Sequence, residues 1–233
     1  MPACFMDASR VNQPPLRTSG APPRVEPDPR RYQALAPAPP EGDLRLSQLW
    51  PAADAASTPC DFELEIGCGR GMFLLERAEV APESRILGIE IKRKWAYLVS
   101  QRAERLGLSN VRVFGADALD VLAKITEDAC LARIFMHFPD PWWKERHAKR
   151  RLRGSSLFDP AARLLRPGGE FFVQTDVEDR AAVLLDDLRN HGAFSVPDAG
   201  YVADNPYGAR SNREKRAITD GLPVYRILVV RRA

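Results

Sequence analysis

Ten residues, Phe62-Glu-Leu-Glu-Ile-Gly-Cys-Gly-Arg-Gly71, constrain the fold of this chain more than any other stretch. Phe62, Leu64 and Ile66 alternate with Glu63 and Glu65 in the period-two pattern of a strand, and Gly67, Gly69 and Gly71 follow at once. Behind them Met72 to Val80, MFLLERAEV, is expected as a helix. Strand, glycine turn and helix make a nucleotide-binding βα unit. The glycines alone are weak evidence, because such turns also serve simply to let a helix pack close to a sheet. Their spacing adds information. A dinucleotide fingerprint GxGxxG wants a small residue at Met72, and here the third glycine comes one position earlier, at Gly71. Glu65, entering the turn, would repel a pyrophosphate but suits an ammonium or sulfonium group. The pattern therefore favours S-adenosylmethionine over a nicotinamide dinucleotide.

Two further units repeat the arrangement. Arg85 to Glu90, RILGIE, reads as a strand that ends in an acid about twenty residues past the glycine turn, where a carboxylate takes both ribose hydroxyls. Judged without the glycine turn, Glu90 reads equally well as a carboxylate favoured by the dipole of the helix it precedes. That helix is expected from Lys92 to Leu106, closed by Gly107 as its C-terminal cap. Asn110 to Phe114 is the third expected strand, followed by Gly115, Ala116 and Asp117. Asp117 either binds an adenine amino group or caps the helix Ala118 to Ile125. Glu65, Glu90 and Asp117 close three successive βα units on one edge, a coincidence harder to dismiss than any one of them.

Ile134, Phe135, Met136 and Phe138 form a nearly continuous apolar run, as expected for a strand buried on both faces of a parallel sheet. Pro139 and Pro141 stop it and leave Asp140 on a stiff turn beyond the strand's carboxyl end, where open α/β sheets bind ligands. Then come Lys144, Arg146, Lys149, Arg150, Arg151 and Arg153 against the single acid Glu145. This run reads as an RNA-backbone contact or as a solvated charged face. Trp142 or Trp143 stacks on an unpaired base or packs in the core. His137 and His147 have no metal-ligand partners in the sequence; the first reads as a strand-end residue and the second as a surface or RNA contact.

Farther on, a helix is expected over Phe158 to Leu165, a turn at Pro167-Gly168-Gly169, and a strand over Glu170 to Thr175 that delivers Asp176 to the same edge. Val177 to Asn190 is expected as a helix with Val183, Leu184 and Leu188 on one face. Asp198 to Gly221, with Arg210, Arg213, Lys215 and Arg216, lacks strong apolar periodicity and reads as a loop, a substrate-side flap. Val224 to Val230 is the expected last strand.

Residues 1–60 contain 12 of the chain's 20 prolines, which marks an extended or partly disordered extension, with Leu44 to Trp50 expected as a turn of helix docked on the domain formed by residues 61–233. With 233 residues, 45% of them hydrophobic, the chain can bury one substantial core. Its 34 basic and 31 acidic residues leave a net charge of +3, so nucleic-acid affinity has to come from local clustering. Cys4, Cys60, Cys68 and Cys130 lack metal-ligand spacing, so neither a zinc site nor a disulfide framework is expected. No apolar stretch approaches the ~20 residues a bilayer span needs. These features, with no secretion-type apolar segment at the N-terminus, favour a cytoplasmic protein.

FELEIGCGRG, LGIE, ADALDVL, FPDPWWKERHAKRRL, GGEFFVQTD and the late SNRE together resemble the bacterial tRNA (guanine-N7-)-methyltransferase family over residues 60–233. The resemblance implies a class I methyltransferase (Rossmann-like) α/β fold with the Val224 to Val230 strand antiparallel at the sheet's end, S-adenosylmethionine as methyl donor, and a variable-loop guanine of tRNA as acceptor. It implies that Glu65, Glu90, Asp117 and Asp140 are cofactor-binding acids beside Gly67, Gly69 and Gly71, with Asp140 also catalytic. Lys144 and Asp176 match substrate-contacting positions. Arg146, His147, Ala148, Lys149, Arg150 and Arg151 match an RNA-contacting segment. Ser211, Asn212, Arg213 and Glu214 fit a TxxE-like substrate loop, in which serine replaces the family's threonine.

The chemistry is consistent with this set. Guanine N7 carries an in-plane lone pair and no proton, so alignment matters more than a general base. Asp140 is expected to accept from guanine N1–H and the exocyclic amine, a pair of donors adenine lacks. Two rivals stand beside this reading: a methyl- or aminopropyltransferase acting on a small amine, and a non-catalytic RNA-binding protein.

Overall fold

A computed structural model of the chain describes Tyr32 and residues 34–50, 61–139 and 154–233, with side chains at all of them except 154–156. Among the described residues, seven strands form one sheet in the order β3-β2-β1-β4-β5-β7-β6. The strands are β1 (Phe62–Ile66), β2 (Arg85–Ile89), β3 (Val111–Phe114), β4 (Leu131–His137), β5 (Leu165–Thr175), β6 (Phe194–Ser195) and β7 (Tyr225–Arg231). The first five pair in parallel, and β7 pairs antiparallel with both β5 and β6. The helices are α1 (Met72–Val80), α2 (Arg93–Arg105), α3 (Ala118–Lys124), α4 (Gly154–Leu164), α5 (Glu178–Asn190) and α6 (Asn212–Thr219). This is the mostly parallel α/β arrangement of a class I methyltransferase. Among the described residues, no helix is long and apolar enough to cross a membrane.

The apolar run of β4 is buried on both faces, as its sequence requires. Ile134 and Met136 pack with Leu64, Ile66, Leu87 and Ile89 in one cluster, while Phe135 meets Phe73, Phe172 and Tyr207 in another. Each buried large apolar side chain contributes about 1.5–3 kcal/mol. The Pro167-Gly168-Gly169 turn lies inside β5. Leu165 pairs with Leu131 and Glu170 with Arg133, so residues 166–169 bow out between two paired segments.

Three expectations need correction. Val183 is 59% exposed, and the buried face of α5 is Ala181, Leu184, Leu185 and Leu188. At about 100° per residue, those four side chains fill one arc of the helix and Val183 lies roughly 150° from its middle, on the solvent side. The last strand, β7, is not at the sheet's end, because fully buried Phe194 draws two residues of β6 into register outside it. The Asp198–Gly221 region contains α6, whose buried positions are Glu214 and Ala217 rather than large apolar residues, so the usual apolar periodicity is missing.

The described part of the proline-rich N-terminal region packs on the domain. A 3-10 helix spans Leu46–Leu49, and Leu44, Leu46 and Trp50 are buried. Leu44 donates its N–H to Lys124 O at 2.8 Å, and Trp50 donates its indole N–H to Ser109 O at 3.1 Å.

Candidate active site

The chain winds from β1 through β2 to β3 on one side of the sheet, then returns to lay β4 on the other side of β1. Connections after β1 and β4 therefore diverge, and a crevice opens at the carboxyl ends of these two strands. The glycine turn lies there. Gly67 and Cys68 both donate to Ile89 O, at 2.8 and 3.0 Å, which ties the turn to the end of β2. Gly71 has φ +73°, and a Cβ on it would stand 2.5 Å from Val99 Cγ1, so this glycine lets α1 pass close to α2. A Cβ on Gly67 would meet nothing within 4 Å; its side of the turn is open.

Glu65, the penultimate residue of β1, is 2% exposed, and its Oε2 has no hydrogen-bond partner. Burial, reinforced by the charge of Glu90, pushes its pKa up to about 8. Glu90 is also buried, but its oxygens accept from the backbone N–H groups of Gly69 (2.9 Å) and Lys92 (2.8 Å). A carboxylate has about four lone-pair sites, so two N–H donors leave room for hydroxyls. Burial and the same two carboxylates raise the Cys68 thiol well above its ordinary value. Asp117 closes the third unit as the N-cap of α3, accepting from Leu119 N–H at 3.0 Å. Next to it Gly115 donates to Pro37 O at 2.7 Å, and Tyr32 lies against Tyr97. The N-terminal segment thus borders the third βα turn, which no sequence signal announced.

On the other side of the crevice, His137 is buried among Phe73, Phe135 and Phe172, with Nδ1 3.3 Å from Gln174 Oε1. Burial pushes its pKa down to about 3, so the imidazole is neutral. Phe138 follows in the left-handed region, φ +49°, where a non-glycine residue is strained. Its N–H donates to Gln174 O at 2.7 Å, and Arg180 donates to the Pro139 carbonyl. At the end of β5, Asp176 accepts two hydrogen bonds of 2.9 Å from Arg213, whose guanidinium lies 5.3 Å from the Phe138 ring centre.

Ser211 is the N-cap of α6, accepting from Glu214 N–H at 3.2 Å, and Asn212 is exposed. Glu214 is fully buried, held by Arg226 at 3.1 Å and Asn205 at 3.0 Å. Ser211 and Glu214 are the cap and the anchor of the helix that carries Arg213. Asp140, Lys144 and the expected RNA contacts Arg146, His147, Ala148, Lys149, Arg150 and Arg151 lie outside the described residues, as do Trp142 and Trp143. No group of three or more His, Cys, Asp or Glu among the described residues could hold a metal ion.

Comparison with known proteins bears on this geometry. A family model described as "Putative methyltransferase" matches residues 61–227. A tRNA (guanine-N(7)-)-methyltransferase of Synechococcus sp. (strain JA-3-3Ab) is 37% identical over 169 residues, 72% of this chain and 72% of its own length. The chain belongs to the tRNA (guanine-N(7)-)-methyltransferase family. A further family member, from Myxococcus xanthus (strain DK1622), is 37% identical over 79% of this chain and 89% of its own. The crystal structure of the 16S rRNA methyltransferase KamB shares the fold, with a TM-score of 0.57 at 16% identity over 78% of this chain and 93% of that one. Within this methyltransferase family member, Glu65, Glu90 and Asp117 lie at the carboxyl ends of β1, β2 and β3 along one sheet edge, and Asp176 lies on the same edge two strands away from the glycine turn. Phe138 is the residue of this edge that sequence reasoning missed as more than a strand residue; its position just before Pro-Asp-Pro was the available signal.

Proposed function

We propose that this chain transfers a methyl group from S-adenosylmethionine to N7 of a guanine in the variable loop of tRNA, and that it works in the cytoplasm. Family membership supports the reaction class, and one observation carries the donor assignment: Glu65, buried at the glycine turn with an oxygen left without a partner. A buried unpartnered carboxyl costs about 1–3 kcal/mol, and a donor that also carries positive charge offsets it best, because it answers the missing hydrogen bond and the buried charge together. S-adenosylmethionine supplies, when bound, a methyl on a positively charged sulfur, together with an ammonium group. Glu65 takes positive charge, the open side of Gly67 and Gly69 admits a ligand close to the backbone, Glu90 accepts from ribose hydroxyls, and Asp117 from an adenine amino group.

Because N7 has a free lone pair, the acceptor side needs alignment rather than proton removal. Holding the partners in line is worth about 7–11 kcal/mol of barrier. Asp140 aligns the guanine with the methyl, Asp176 and Lys144 contact the acceptor, and the run from Arg146 to Arg151 neutralises phosphates. Affinity for tRNA should accordingly fall steeply with added salt.

Incubation with unmodified tRNA and labelled donor, followed by aniline cleavage at 7-methylguanine, tests this directly. The expected result is a single labelled site in the variable loop. Label on a free amine with none on tRNA would favour a small-amine transferase; tRNA binding without calorimetric donor binding would favour a non-catalytic RNA-binding protein. Asp140→Asn is expected to lower methylation of saturating tRNA at least tenfold, and near-normal methylation would remove Asp140 from its role.

A further inference from the structure

We propose that Phe138 and Asp176 form the slot for the base edge of the target guanine, and that Arg213 occupies this slot until the guanine displaces it. The inference rests on the tRNA guanine reading above. It starts from the shape of the Arg213 contact: two 2.9 Å hydrogen bonds, from Nε and an Nη, reach the two oxygens of Asp176. The same guanidinium lies over the Phe138 ring, 5.3 Å from its centre. A planar fork of two N–H donors, matched to a carboxylate and seated on an aromatic face, is the arrangement arginine makes with such partners. Guanine presents a similar fork, because N1–H and the exocyclic amine lie side by side on one edge of a flat ring. Adenine presents a donor beside an acceptor and cannot satisfy both carboxylate oxygens.

The energetics favour exchange. The side chain of Arg213 is 52% exposed and that of Asp176 21%, so solvent screens the pair and limits what even a bidentate contact contributes. A base that makes the same two hydrogen bonds also gains the stacking of its whole ring on the aromatic face. The slot itself is held firmly while its occupant is not. Phe138 keeps a strained φ of +49° because its N–H is bound to Gln174 O and the next carbonyl is bound to Arg180. Meanwhile α6 is anchored by Glu214 on Arg226 and by the Ser211 cap, so only the Arg213 side chain has to swing away. Released, its charge stays at the mouth of the site, where a tRNA phosphate can take it up. The reading of the guanine edge then falls to Asp176, and Asp140 is left to align acceptor with donor.

The test compares GMP with AMP binding to the full chain by NMR titration in the presence of S-adenosylhomocysteine; the ratio of the two affinities cancels contacts to phosphate. Arg213→Ala is expected to raise the GMP preference about threefold, the factor that removal of a weak competing pair gives. Arg213→Lys, which keeps charge but not the fork, should fall between. Asp176→Asn should bring the ratio close to one. If Arg213→Ala melts early, Arg213→Gln carries the same expectation. A preference unchanged or lowered in folded Arg213→Ala, or retained in Asp176→Asn, overturns the proposal. Wild-type chain that makes 7-methylguanine in tRNA while Arg213→Ala lowers the preference defeats the slot alone; no 7-methylguanine from wild type defeats the functional reading, whatever the nucleotide ratios.

Discussion

Glu63 and Glu65 stand two residues apart on one strand, point to the same face of the sheet and are 1% and 2% exposed, yet they live in opposite electrostatic worlds. Toward the amino end of β1, Glu63 takes hydrogen bonds from Arg77 at 2.7 and 2.9 Å and from Arg133 at 2.8 Å. Arg133 is shared with Asp61 and Glu170, and Arg77 also donates to Tyr207 O, so every charge in this network has an opposite neighbour. Toward the carboxyl end, Glu65 has another carboxylate, Glu90, as its main charged influence and an oxygen without a partner. Equal burial therefore means different things. Where cations converge, a buried acid holds the fold together; where burial is left uncompensated, the protein has stored a demand for positive charge at a ligand crevice.

The largest expected effect comes from breaking the compensated side. Arg77→Leu leaves Glu63 with a single cation and should cost about 3 kcal/mol, a fall in Tm of about 6–12 °C for a chain of this size. A Tm within 2 °C of wild type would mean that the Glu63 network contributes little. Glu65→Gln should act in the reverse sense on the free protein and severely on the donor. Loss of the charge should weaken S-adenosylmethionine binding at least tenfold, about 1.4 kcal/mol, as read by calorimetry. Because the folded-state pKa of Glu65 is raised from the ordinary 4.5 to about 8, the unfolded chain gives up this proton first. Its contribution to stability is whole below pH 4.5 and is lost as pH climbs to 8. Urea unfolding should therefore find Glu65→Gln more stable than wild type at pH 9 and little different at pH 4.5. The smallest effect is expected from Ser211→Ala, which removes the α6 cap and should cost about 1 kcal/mol. No measurable loss would show that Glu214 alone holds this helix.

Much of the crevice could be read from the sequence because its chemistry is local in the chain. The glycine turn, the acid ending β1 and the acid twenty-one residues past Gly69 are set by main-chain conformation and strand ends. What joins Glu90 to Gly69, or separates Glu63 from Glu65, is not local. Arg133 lies 70 residues from Glu63, and nothing in the FELEI pattern says that one glutamate will meet it and the other will not. The α6 helix escaped for a related reason, since its buried face relies on a glutamate paired with Arg226 across the loop rather than on apolar residues. The Ser-x-x-Glu spacing at Ser211 and Glu214 was the signal for its start. Val183 was misassigned by apolarity alone, although its angular position on the helix excluded it from the face of Leu184 and Leu188.

The uncompensated acid is tested most directly by counting protons when the donor binds. Calorimetric titration of S-adenosylmethionine into the full chain at pH 7, repeated in buffers of different ionisation enthalpy, should show close to one proton released per donor bound, with the release gone in Glu65→Gln. Binding of equal strength in Glu65→Gln, with no proton released by wild type, would contradict the assignment of this crevice to a cationic donor.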